Sequence, residues 1–168
     1  MNEILSMLRG GDLRSDGRAD EAAARVVAQP QLCERLAAGL DETDDVVRAR
    51  TAHALEKVSR ARPDLLADVL PRCLDLALDD PLPMVRWHMA MLLGNLPASP
   101  RALDVLLRML DDPSALVTSW AITSLVRLAR RLPPRRAEIA GRLRRLGDDP
   151  RASVRNRAAK ALQALEEE

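Results

Sequence analysis

The sequence predicts an all-α fold, a right-handed α-α superhelix (solenoid) of about four helix pairs closed by end-capping helices, and three observations predict it. First, a phrase recurs as DETDDVVRARTAHAL from Asp41, DDPLPMVRWHMAMLL from Asp79, DDPSALVTSWAITSL from Asp111 and DDPRASVRNRAAKAL from Asp148. Self-similarity at a near-constant period marks a stack of repeats. Second, 168 residues with 47% hydrophobic and 30% charged side chains fit one folded domain over 1–168, not a disordered chain. Third, the chain has no Phe and no Tyr and only Trp87 and Trp120 as rings, so its core must be aliphatic. Eleven prolines and seven glycines punctuate short helices.

In chain order, residues 2–9 read as a lone helix before Gly10-Gly11. A weaker unit spans 17–40, with Ala19 in the place of the repeated Val and Ala23, Ala24 and Val27 on its packing face. The units at 43–78, 81–110 and 113–146 follow, and a terminal helix at 150–167 has no partner. Taking Val47, Val85, Val117 and Val154 as position zero, Leu55, Leu93, Leu125 and Leu162 stand eight residues later and mostly small residues four and five later. Those spacings share one helical face at 3.6 residues per turn. The Asp six residues before each Val can cap the helix start, and Pro81, Pro113 and Pro150 suit its first turn. Second helices read as 63–77, 100–110 and 134–146, with Pro71 placed to kink the first. They are expected to line the concave side. The two ends should act as caps.

Residues 1–112 hold 14 Arg/Lys against 19 Asp/Glu, and 113–168 hold 12 against 6, so the ends of the stack carry opposite charge. That asymmetry can steer an acidic partner or favour head-to-tail association. Cys33 and Cys73 lie in apolar helical segments and read as buried reduced thiols. The N-terminal MNEILSMLRGG has no extended apolar run, so neither signal peptide nor membrane span is expected, and the location is cytoplasmic by default.

The repeated phrase resembles the HEAT-like repeats of the bilin (phycobilisome) lyase type, whose pattern is Asp-x-Pro, Val-Arg, a small pair and Ala-Leu. DDPRASVRNRAAKALQAL at 148–165 is the best copy, and four units from about residue 40 onward carry the likeness. The resemblance implies that Arg48, Arg86 and Arg155 tie neighbouring units through Asp79, Asp111 or Asp148. Thr118 stands where the fourth unit should have its Arg, which implies a broken ladder and a flexible point. Fold follows from the resemblance far more firmly than function.

Catalytic variants of this architecture need constellations that the chain does not supply. His53 is followed by Ala54 and His88 by Met89, which removes the His-Glu dyads of iron-binding relatives; both histidines read as isolated edge residues. Trp87, Trp120, Asp104 and the C-terminal arginines sketch a DNA-glycosylase set, but two rings are few for stacking bases. No nucleophile stands beside a base and no phosphate loop is present, so no cofactor or metal is implied.

Two surfaces stand out. Arg127, Arg130 and Arg131 end one helix, and Arg135, Arg136, Arg142, Arg144 and Arg145 populate the next, forming a patch for an acidic partner or a solvated helix pair. Met84, Trp87 and Met91 fall together on the far side of the third unit's first helix, as an adaptable contact stripe or an edge covered by a neighbouring repeat. The leading expectation is a non-enzymatic interaction scaffold or adaptor. It would bind a protein partner through its concave face and the end bearing Arg127, Arg130, Arg131, Arg135, Arg142 and Arg145. Nucleic-acid binding and a bilin-lyase accessory role stay open as alternatives.

Overall fold

The recurring phrase becomes a row of long helices. The structure, a computed structural model describing residues 3–167, contains ten α-helices and no strand among the described residues. They are α1 (Glu3–Ser6), α2 (Ala19–Ala28), α3 (Cys33–Ala37), α4 (Asp45–Ala61), α5 (Leu70–Asp79), α6 (Pro83–Asn95), α7 (Pro100–Arg108), α8 (Ala115–Arg131), α9 (Arg136–Arg145) and α10 (Ala152–Glu166). Met1, Asn2 and Glu168 lie outside the described residues, and with Asn2 the start of the helix expected over 2–9. Helices α2, α4, α6, α8 and α10 form one layer; α3, α5, α7 and α9, several extended by 3-10 turns, form the other. The architecture is an α-α solenoid.

Neighbouring long helices pack along their length, whereas successive short helices touch only lightly. A two-layer stack bends toward its tighter layer, so the long helices line the inner side. This corrects the expectation that the second helices would do so. The small residues of the repeat explain the tight layer, because Ala52, Ala90, Ala121 and Ala158 let backbones approach and are all buried. The first unit is also one residue out of the expected register: Ala22, Ala23 and Val26 are buried, Ala24 is exposed and Val27 is half-buried. Pro71 does not kink a helix but stands at the start of α5, where its missing N–H costs no intrahelical bond. Pro113 and Pro150 precede α8 and α10 instead of entering them.

The carboxylate that joins units is the second aspartate of each phrase, not the first. Arg48 Nε donates to Asp80 at 3.0 Å, and Arg86 makes a two-pronged contact with Asp112 at 2.7 and 3.0 Å. The same aspartates accept backbone N–H groups at the next helix start, Leu82 N to Asp80 at 2.8 Å and Ser114 N to Asp112 at 2.7 Å. Asp79, Asp111 and Asp148 close the preceding short helix or 3-10 turn and face solvent, so they are out of reach of the ladder. Each ladder arginine also takes two carbonyls of its own loop: Glu42 and Thr43 for Arg48, Asp80 and Pro81 for Arg86, Asp149 and Pro150 for Arg155. Arg155 thus completes only its own half.

Thr118 does not leave the ladder broken. Arg151, from the following loop, donates to the carbonyls of Asp112 and Pro113 at 2.8 and 3.3 Å, the pair that an arginine at 118 would have taken. It keeps a two-pronged grip on Asp149 and holds that carboxyl down at about 2, mainly through their hydrogen bonds. The rung is supplied from the neighbouring unit, and the expected flexible point is braced.

At the other end, Arg50 is 5% exposed and donates to the carbonyls of Leu8, Gly10, Asp12 and Ser15. Gly10, Gly11 and Gly17 adopt positive φ as the loop wraps this guanidinium. The loop therefore closes the first end of the stack around one cation.

Candidate functional site

The inner face is built from helix positions three, six and ten residues after the repeated Val. Position ten holds Lys57, Asn95, Arg127 and Ala164; position six holds His53, Met91, Thr123 and Lys160; position three holds His88, Trp120 and Arg157, its first copy, Arg50, being covered by the N-terminal loop. Two clefts open there. One, of about 470 Å³, is lined by Arg60, Met91, Asn95, Trp120, Arg127 and Arg131, across α4, α6 and α8. The other, of about 230 Å³, lies between α8 and α10, with Ile122, Val126, Ala161 and Ala164 beneath Arg127, Arg130, Arg157 and Lys160.

A polar chain fixes the first cleft. The Glu56 side chain is only 2% exposed and accepts from Arg60 Nε and from Asn95 Nδ2 at 3.1 Å. Asn95 also donates to Ser59 Oγ at 2.9 Å, and its carbonyl oxygen accepts from Arg127 at 2.8 Å. A buried carboxylate is stable only when paired and hydrogen-bonded, so this chain sets the positions of Arg60 and Arg127. Arg131 donates to the Leu96 carbonyl at 2.9 Å and so satisfies the end of α6. Arg157 and Lys160 make no ion pair among the described residues.

The arginines read from sequence as one patch belong to two layers. Arg127, Arg130 and Arg131 lie on α8 at the inner face, where Arg157 and Lys160 of α10 join them. Arg135 pairs with Glu138 and, at 3.3 Å, with Asp104; Arg142 donates to the Leu107 carbonyl and to Asp111 at 3.3 Å. Arg144 and Arg145 are exposed on α9, in the other layer. Arg135 and Arg142 therefore tie α9 to the preceding unit, and the reversal of the chain between α8 and α9 parts them from Arg127.

Met84, Trp87 and Met91 are half-buried rather than an open stripe, and Met84 and Trp87 pack on the core. Only Met91 enters the cleft, beside Trp120. The histidines are not isolated: the His53 and His88 rings stack at 4.8 Å between α4 and α6, and the Trp87 ring lies 5.4 Å from His88. His88 Nδ1 contacts the Met84 carbonyl at 2.8 Å, and burial pushes its pKa down to about 4. His53 approaches Asp16 at 3.2 Å. No cluster of three or more metal-ligating side chains occurs among the described residues. Cys33 and Cys73 are free and buried, and burial raises their thiols to about 11 and about 12, which leaves both as inert thiols at neutral pH. No helix among the described residues is long and apolar enough to cross a membrane.

Glu56, Arg60, Asn95, Arg157 and Lys160 are the inner-face residues that the sequence reading missed. A signal existed in the position ten residues after each Val, where three of four copies carry Lys, Asn or Arg.

A family model described as HEAT repeats matches residues 30–126. No curated protein matches the chain. Among solved structures, an engineered protein superposes with a TM-score of 0.65 at 19% identity, over 99% of this chain and 79% of that one. A designed armadillo repeat protein in complex with the peptide (KR)4 gives 0.64 at 18% identity, over 99% of this chain and 86% of that one. A computationally designed armadillo repeat protein for modular peptide recognition gives 0.61 at 17%, over 97% of this chain and 81% of that one. At such identities the likeness is one of fold.

Proposed function

The chain belongs to the HEAT-repeat family, and from that premise we propose that it is a non-enzymatic scaffold that binds an acidic protein partner on its inner face. One observation carries the reading: Arg60, Arg127 and Arg131 surround the Met91 and Trp120 side chains, with Arg60 bonded to the buried Glu56 and Arg127 to the half-buried Asn95. Cations fixed in advance lose little freedom on binding, and an aromatic and a methionine beneath them supply apolar contact. Repeat proteins of similar fold are described as peptide-recognising, one of them in complex with a basic peptide. The inner face of this chain is itself basic, like that peptide, so its partner is acidic. Arg135 and Arg142 lie in the other layer, and their bonds to the preceding unit support a bracing role.

The test is fluorescence anisotropy with a labelled glutamate-rich peptide at low ionic strength, on the parent chain and on Arg157→Glu/Lys160→Glu. Neither side chain has an ion-pair partner among the described residues, so helicity should be unchanged while affinity falls about tenfold or more, and salt should weaken the parent's binding. Equal affinity of parent and variant would overturn the assignment of the face.

A further inference from the structure

We infer that the occupant of this face is a linear acidic segment in a polyproline II conformation, with two apolar side chains three residues apart. The inference rests on the binding face proposed above and deepens it.

The two clefts lie side by side and share Arg127 as their common wall. One is centred on Met91 and Trp120 between α6 and α8, the other on Val126, Ala161 and Ala164 between α8 and α10. Packed helices are spaced roughly 8–10 Å apart, so the two clefts are about one such step apart. A chain crossing the helices must place an apolar side chain in each. In a β-strand, side chains on one face recur at roughly 6.6–6.8 Å or twice that, which is too short or too long. In polyproline II, residues three apart stand on one side at roughly 9.3 Å, which matches the step.

The chemistry of each cleft selects its occupant. The second has an aliphatic floor, and its hydroxyl, Thr123 Oγ1, already donates to the Ser119 carbonyl at 3.1 Å. Its floor offers no ring to stack a base, and it accepts a branched aliphatic side chain. In the first, both Asn95 amide atoms are engaged within the protein, so Met91 and Trp120 meet the ligand. Arg127 between the clefts takes a carboxylate between the two apolar residues; Arg60 and Arg131 on one side and Arg157 and Lys160 on the other take flanking ones.

The experiment compares four peptides by anisotropy on the full chain. They are Glu-Glu-Leu-Pro-Glu-Leu-Glu-Glu, its isomers Glu-Glu-Leu-Pro-Leu-Glu-Glu-Glu and Glu-Glu-Leu-Pro-Glu-Glu-Leu-Glu, and Glu-Glu-Glu-Pro-Glu-Glu-Glu-Glu. The first should bind about tenfold more tightly than the others, a ratio within reach of one further buried leucine. Ala164→Leu, which fills the second cleft, should abolish that preference while leaving helicity as it was. Equal binding of all four peptides would overturn the two-cleft inference and leave the acidic-partner reading standing. No binding of any peptide at low salt would overturn both. Tighter binding of single-stranded DNA than of every peptide would reassign the face to nucleic acid.

Discussion

Arg86 joins two units through one guanidinium, taking carbonyls of its own loop with Nη1 and the Asp112 carboxylate with Nε and Nη2. The Arg86 and Asp112 side chains are 9% and 8% exposed, so removing one leaves the other charged and buried. Arg86→Ala should therefore lower unfolding free energy by about 3–5 kcal/mol in urea titration, far above the cost of a surface pair. An unchanged midpoint would place the pair outside the energetics of the fold. His88 adds a pH dependence that composition does not suggest. Burial takes it to about 4 from an ordinary 6.5, against a weaker opposing bond to Met84, with His53, Asp16 and Lys57 as the charged neighbours that matter. The unfolded chain binds that proton first, so its contribution is intact above pH 6.5 and is lost as pH falls toward 4. Between pH 7 and pH 5 the loss should be on the order of 2 kcal/mol. His88→Gln should flatten that slope, and an equal slope in parent and variant would show that other groups carry it.

Helices α6 and α8 approach closely at Gly94, where a Cβ would overlap Ser124 Oγ and lie 3.0 Å from its Cα. Ser124 donates to the Ala90 carbonyl at 2.7 Å, so it cannot turn aside without leaving a buried hydroxyl unpaired. Glycine to alanine inside a helix ordinarily gains up to about 1 kcal/mol. Here Gly94→Ala should instead cost about 1–3 kcal/mol, because α8 must move. A raised melting temperature would contradict that close approach. Contacts of this kind decide what was legible in the sequence. The long helices could be read because the Asp-Asp phrases and the periodic Val, Ala and Leu act within one segment. Arg151 filling the place left by Thr118, the Glu56–Asn95–Arg127 chain and the His53–His88 stack all join residues more than 30 positions apart, and no local pattern encodes them. The arginines at 127–145 follow the same rule: close in sequence, they separate into two layers when α8 reverses into α9.

Across the molecule the main contacts of each unit are with its neighbours, so stability is distributed as local terms and interfaces. The charge is distributed too: the basic cleft between α8 and α10 lies within residues 113–168, the third of the chain carrying 12 Arg/Lys against 6 Asp/Glu. The two tryptophans stand on α6 and α8, in the middle of the stack, so their fluorescence reports the centre while ellipticity reports every helix. Arg151 braces the α8–α10 end and Arg86 the central interface. Arg151→Ala should therefore make ellipticity fall at lower urea than fluorescence, as the end unit opens before the centre. Arg86→Ala should move the fluorescence transition at least as far as the ellipticity transition, because it loosens the interface beside both rings. Hydrogen exchange on Arg151→Ala should quicken in α9 and α10 and stay near the parent rate in α4. Coincident shifts of both probes in Arg151→Ala, with uniform exchange, would mean that the stack unfolds as one cooperative body and that its interfaces, rather than its units, carry the stability.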